Sequence, residues 1–160
     1  MSADEPETSD RAPFPLIAQA LRRSIEAALP NLRRTTERQA AEPIAAGKWS
    51  RKQIIGHLID SAANNHQRFV RAQEDRVLML PGYRQEHWVQ AQHYQDRSWD
   101  DLMSLWSAYN HHLAHVIEHI PEDLGNVQCT VGADAPVTLR FLAHDYVVHL
   151  RHHLRQAGGL

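Results

Sequence analysis

The sequence predicts an all-α four-helix bundle. Three observations lead there. Four segments place apolar residues at three- and four-residue steps. Two of the three connections between them are long. No segment shows the strict alternation of a half-buried strand. Long amphipathic helices bury their apolar stripes most simply against one another. A barrel or a dinucleotide-binding fold would need repeated strand signals.

The first helix is expected over residues 14–38, where Phe14, Ile17, Leu21, Ile25, Ala28 and Leu32 form one stripe. Pro30 lies inside it and should kink or split it, because proline removes a backbone donor. Residues 1–13 are polar, acidic and proline-containing, and read as a flexible tail ahead of a domain spanning 14–160. Residues 40–47 read as a loop.

The second helix starts at Ser50, which forms a capping-box pattern with Gln53, and Trp49 supplies the preceding apolar residue. Ile54, Ile55, Leu58, Ala62, Asn65 and Phe69 follow on one side, and the helix should end near Gln73. Residues 74–97 form the longest connection, with a turn at Pro81-Gly82 and a short helix over 85–94. Segments of this length often serve a site.

The third helix begins at Ser98, with Asp101 as a weaker box partner. Its stripe is Leu102, Leu105, Trp106, Tyr109, Leu113, Val116, Ile117 and Ile120, and Pro121 helps stop it. Residues 125–136 read as a loop. The fourth helix starts near Thr138 and ends before Gly158-Gly159.

Composition narrows the function. The chain has 160 residues, 42% hydrophobic and 22% charged, as expected of one globular domain. A formal net charge of -2 offers no basic footprint for nucleic acid. No apolar run reaches the ~20 residues of a membrane span. Cys129 is the single cysteine, so an internal disulfide is impossible and a cytoplasmic location is expected. Cys129 has no partnered base in sequence and is a poor nucleophile candidate.

Histidine is unusually frequent, with 12 residues. A helix turns about 100° per residue, so each His can be placed against its stripe. His149 and His153, one turn apart, fall inside the stripe of Leu139, Leu142, Tyr146 and Leu150. His144 and His152 fall outside it. His111 and His115 share the same spacing but face away from their stripe. His57 sits at one flank of the second helix and heads a polar line of Ser61, Asn64 and Arg68. His66 sits at the other flank without a comparable polar setting.

Two readings fit the inward pair. One is a hydrogen-bonded pair of core histidines. The other is a metal site, since imidazoles at this spacing can share one divalent ion. A third His from an antiparallel helix would then leave positions open for water or substrate. Asp60 and Asp145 are placed to accept the outer ring N–H of a ligand, or to be solvent-facing charges. Asn64, Arg68, Trp88 and Tyr109 are candidate pocket residues. Arg68 suits a substrate carboxylate, or a surface position with its stem on the bundle; Trp88 and Tyr109 also suit the core.

Residues 48–72, KWSRKQIIGHLIDSAANNHQRFVRA, resemble the second helix of the DinB/YfiT group of bacterial bundle proteins. That group closes with a helix carrying His-x-x-x-His, matched by His149 and His153. The order of elements agrees over nearly the whole chain beyond the tail. The resemblance implies up-down-down-up topology and a divalent metal, nickel or zinc, held by His57, His149 and His153. It also implies a homodimer. It offers a small-molecule substrate and either thiol-dependent S-transfer, with a low-molecular-weight thiol as partner, or hydrolysis. The alternative is a metal-binding homodimer without turnover.

Overall fold

The computed structural model describes residues 10–160. Most of the expected 1–13 tail, residues 1–9, lies outside the described residues. The helices are α1 (Phe14–Arg34), α2 (Glu37–Ala41), α3 (Arg51–Arg71), α4 (Gln85–Ala91), α5 (Trp99–Glu118) and α6 (Leu139–Gln156). Single 3-10 turns occupy Tyr94–Asp96 and Glu122–Asn126. The long helices α1, α3, α5 and α6 are the four expected ones.

The expected stripe of α1 is fully buried, from Phe14 to Leu32. Pro30 does not split the helix, which continues to Arg34. The break falls at Thr35 and Thr36 instead. Thr36 caps α2 reciprocally with Gln39: Gln39 N–H donates to Thr36 Oγ1 (3.3 Å) and Thr36 N–H donates to Gln39 Oε1 (2.9 Å). A local box thus overrides a periodicity that continues past it. Ser50 and Gln53 cap α3 in the same way. At the far end of α6, Gly158 has φ +77°. Its N–H donates to the Arg155 carbonyl, and the Gly159 N–H to the Leu154 carbonyl. This glycine-dependent closure satisfies two orphan carbonyls.

Named contacts establish the helix directions. Trp99 Nε1, at the start of α5, donates to the Leu32 carbonyl near the end of α1, while Glu118 at the end of α5 pairs with Arg22. These two run antiparallel. Lys52, in the first turn of α3, donates to the Arg97 carbonyl just before α5, and further along His66 meets Tyr109 and His112. So α3 and α5 run parallel. Arg51 donates to the Ala157 carbonyl beyond α6, and Phe69 packs on Tyr146, so α6 is antiparallel to α3. Arg140 lies over the Phe14 ring, which sets α6 parallel to α1.

The result is up-down-down-up. Around the bundle the order is α1, α5, α3, α6, with α1 and α3 on a diagonal. Because α3 and α5 are parallel, their connection must travel the length of the bundle. This explains why residues 72–98 are long.

One expectation is corrected. Three short strands lie among the described residues: β1 (Val77–Leu80), β2 (Gln128–Val131) and β3 (Val137–Thr138). β1 pairs in parallel with β2, Val77 opposite Gln128, and β2 pairs antiparallel with β3. Strands of two to four residues are too short for alternation to register, and their partners are far apart in sequence. The sheet ties the two long connections together. Among the described residues no helix is long and apolar enough to cross a membrane.

Candidate metal centre

The up-down-down-up arrangement brings the first half of α3 against the last half of α6. His57 projects from α3 there, one residue after Gly56. His149 and His153 project from successive turns of α6. One ring nitrogen from each lies within 4.8 Å of the others. His57 Nε2 and His149 Nε2 are 3.2 Å apart. The His57 ring centroid is 5.1 Å from that of His149 and 4.6 Å from that of His153.

Burial keeps these rings neutral. It pulls His57 down to about 3 and His149 down to about 4, and the neighbouring imidazoles add to the effect. His153 is also lowered by burial, partly opposed by its bond to Gln156. Neutral imidazoles keep a lone pair available at physiological pH.

The donor set fits a divalent ion. Two nitrogens bound to one ion at ~2.1 Å lie roughly 3.0–3.4 Å apart across a bond angle of about 90–110°, which brackets the His57–His149 separation. His153 Nδ1 lies 2.8 Å from Gln156 Oε1. That carbonyl accepts the Nδ1 proton and leaves Nε2 free as the donor. His57 Nδ1 is buried without a hydrogen-bond partner among the described residues. An ion held at Nε2 would leave this atom as it is, so the fit rests on the nitrogen separations and on the free Nε2 of His153.

Of the two aspartates expected behind the ligands, neither holds a ring. Asp60 Oδ1 accepts from Tyr94 Oη (2.6 Å) and Gln92 Nε2 (2.5 Å). Burial raises its pKa, opposed by those two bonds. Asp145 is exposed at a cavity edge, with no hydrogen bond to His149 among the described residues. The ring-holding position at His153 belongs to Gln156, a residue whose role depends on the last-turn geometry of α6.

The triad stands between two spaces. On one side a cavity of about 260 Å³ is walled by His57, Ser61, Asn65, Arg68, Tyr83 and His149, with Leu142, Asp145, Tyr146 and Gln85 completing it. On the other, a groove of about 560 Å³ runs past Trp49, Ile54, His153 and Gln156. The Trp49 ring lies 5.3 Å from His57. Gln85, at the start of α4, borders both.

Arg68 lines the cavity. Its Nη1 donates to Asn65 Oδ1 (3.3 Å), and no carboxylate within 4 Å pairs with it among the described residues. Burial lowers its pKa, with Tyr83 and Cys129 opposing. Three other candidates lie outside the cavity, and for Tyr109 this is the core position also open to it. Asn64 turns back to the Asp60 carbonyl (2.9 Å), and its neighbour Asn65 lines the cavity. Trp88 packs on Tyr83, at 5.1 Å between centroids, rather than entering the cavity. Tyr109 lies on the α3–α5 seam, where its hydroxyl meets His66 Nδ1 at 3.0 Å. His66 therefore has the polar setting that its sequence neighbours did not suggest.

Asn65, Tyr83, Gln85, Leu142 and Tyr146 are the cavity residues not expected from the sequence. Tyr146 and Leu142 were within reach, since both share the α6 face of His149. Tyr83 and Gln85 come from the long connection, where no periodicity locates a side chain.

Topology and site together define a class: four-helix bundles that run up-down-down-up and gather three histidines between their second and fourth long helices. The chain belongs to the DinB superfamily, whose profile matches residues 20–157. It is similar in fold to YfiT from Bacillus subtilis, described as a probable metal-dependent hydrolase with an unusual four-helix bundle topology. The TM-score is 0.80 at 17% identity, covering 98% of this chain and 90% of that one. No curated protein matches this chain.

Proposed function

We propose that this chain is a metal-dependent enzyme in which His57, His149 and His153 hold one divalent ion, nickel or zinc. The observation that carries this reading is the convergence of three neutral imidazoles beside a polar cavity. When bound, the ion acts as a Lewis acid and lowers the pKa of a coordinated water or low-molecular-weight thiol. Hydrolysis or S-transfer are the two chemistries this supports.

The chain's own residues supply binding and orientation. Arg68 presents a guanidinium that has no carboxylate partner among the described residues, suited to an anionic group of a small-molecule substrate. Asn65 holds that guanidinium. Ser61 and Tyr83 offer hydroxyls along the wall. Trp49 and Ile54 give the opposite groove an apolar side. Gln156 holds the His153 ring in one tautomer.

A non-catalytic metal-binding homodimer would be expected to seal its ion with Leu and Val. The cavity is instead lined by Ser, Asn, Arg and Tyr, which favours turnover. A homodimer remains compatible with turnover, and exposed apolar side chains such as Leu105 and Val148 support it. The cytoplasm is the compartment we assign, supported by the single, buried Cys129.

The test is a panel of thiols, electrophiles and hydrolysable substrates assayed with the metal-loaded protein. Turnover that disappears with the ion and returns on reloading is expected. Turnover that survives demonstrated removal of the ion would overturn the proposal.

A further inference from the structure

A second cluster of donor side chains lies at the other end of the bundle. His115, Glu118 and His119 occupy the last turn and the C-cap of α5. One donor atom from each lies within 4.8 Å of the others. The His115 and His119 ring centroids are 4.3 Å apart, close to the 4.5 Å between His149 and His153. We propose that His115, Glu118 and His119 form a peripheral, solvent-facing site for a divalent transition ion such as zinc, nickel or copper.

Four features support it. Two imidazoles and a carboxylate make a borderline donor set that suits these ions rather than magnesium or calcium. His119 Nδ1 lies 2.8 Å from the His115 carbonyl, so Nδ1 donates and Nε2 is left as the donor to a metal. The cluster sits at the C-terminal end of α5, where the helix dipole favours positive charge. Both histidines are exposed, so an ion can enter without rearrangement of the core.

One feature opposes it and makes the site distinctive. Glu118 Oε2 is paired with Arg22 of α1 at 2.7 Å. An ion must share or displace that guanidinium. The triad has a buried setting that this cluster lacks, so the peripheral site is the weaker of the two. The proposal does not depend on the triad being a metal site.

The experiment is calorimetric titration of zinc into the metal-stripped full chain, the H149A chain and the H115A/H119A chain. A weaker class of site is expected in the parent and in H149A, and it should vanish in H115A/H119A. Both substituted residues are exposed, and circular dichroism verifies the fold. E118Q should weaken that class on the order of tenfold or more. R22A should tighten it by up to about fivefold, because a competing partly exposed ion pair is removed. A weak class that persists in H115A/H119A, or is missing from the parent, overturns the site. Affinities unchanged in both E118Q and R22A overturn the three-ligand assignment.

Discussion

Tyr94 lies directly on the backbone of Gly56. A Cβ at position 56 would overlap the Cγ, Cδ2 and Cε2 atoms of that ring. From this position the Tyr94 hydroxyl reaches Asp60 Oδ1, one turn further along α3. Gly56 is also the residue before His57. The missing side chain lets the long connection dock on the part of α3 that presents a candidate ligand.

Gly56→Ala should therefore destabilise the protein although alanine is the better helix former by about 1 kcal/mol. Overpacking against an aromatic ring costs about 1–3 kcal/mol and should outweigh that gain. Urea unfolding measures the difference. A variant as stable as the parent would show that the ring does not occupy this position.

Tyr94→Phe keeps the ring and removes one of the two bonds to Asp60. The expected loss is about 1 kcal/mol. The lost hydroxyl bond also stops holding the Asp60 carboxyl down, so its pKa should rise further. Chemical denaturation measures the first effect. Carboxyl titration by NMR measures the second, and an unmoved Asp60 would refute the assignment.

His149→Ala should remove one equivalent of tightly bound divalent metal, with most of any metal-dependent turnover. Elemental analysis of the purified variant reads this directly. Retention of a full tight equivalent would place the ion elsewhere. Because His115 and His119 offer another site, affinity as well as stoichiometry must be measured.

The metal-stripped protein should lose stability as pH falls below about 6.5. In the unfolded chain these histidines protonate near their ordinary value. In the fold His57 resists until about 3 and His149 until about 4. Between those limits the unfolded state binds more protons, so each ring withdraws ~1.4 kcal/mol of stability per pH unit. Denaturation midpoints at pH 7.5, 6 and 5 in a chelator should decline progressively, and less so in His149→Ala. A flat profile would mean that the rings are not held neutral.

Arg68→Met should raise KM for an anionic substrate at least tenfold, the loss expected for a charged hydrogen bond. Metal content should stay unchanged, since Arg68 is not in the triad. Equal kinetics for charged substrates in both proteins would remove Arg68 from recognition.

The helices were legible because their signals are local. The Ser50–Gln53 box, the stripe of α1 and the terminal glycines act within a few residues. The inward placement of His149 and His153 follows from helical geometry alone. The role of His57 is legible only through family resemblance, since its flank position on α3 is ambiguous by periodicity. The choice of Asn65 over Asn64 depended on where α6 and the long connection pack against α3. So did the placement of Tyr83 and Gln85, and the diversion of Asp60 to Tyr94. The strands escaped detection because four residues carry too little pattern, and their pairing depends on segments brought together by the bundle. Local sequence thus determined which helices form and which faces they bury. Tertiary packing decided which polar side chains share a cavity, because that depends on distances between elements that no spacing along the chain encodes.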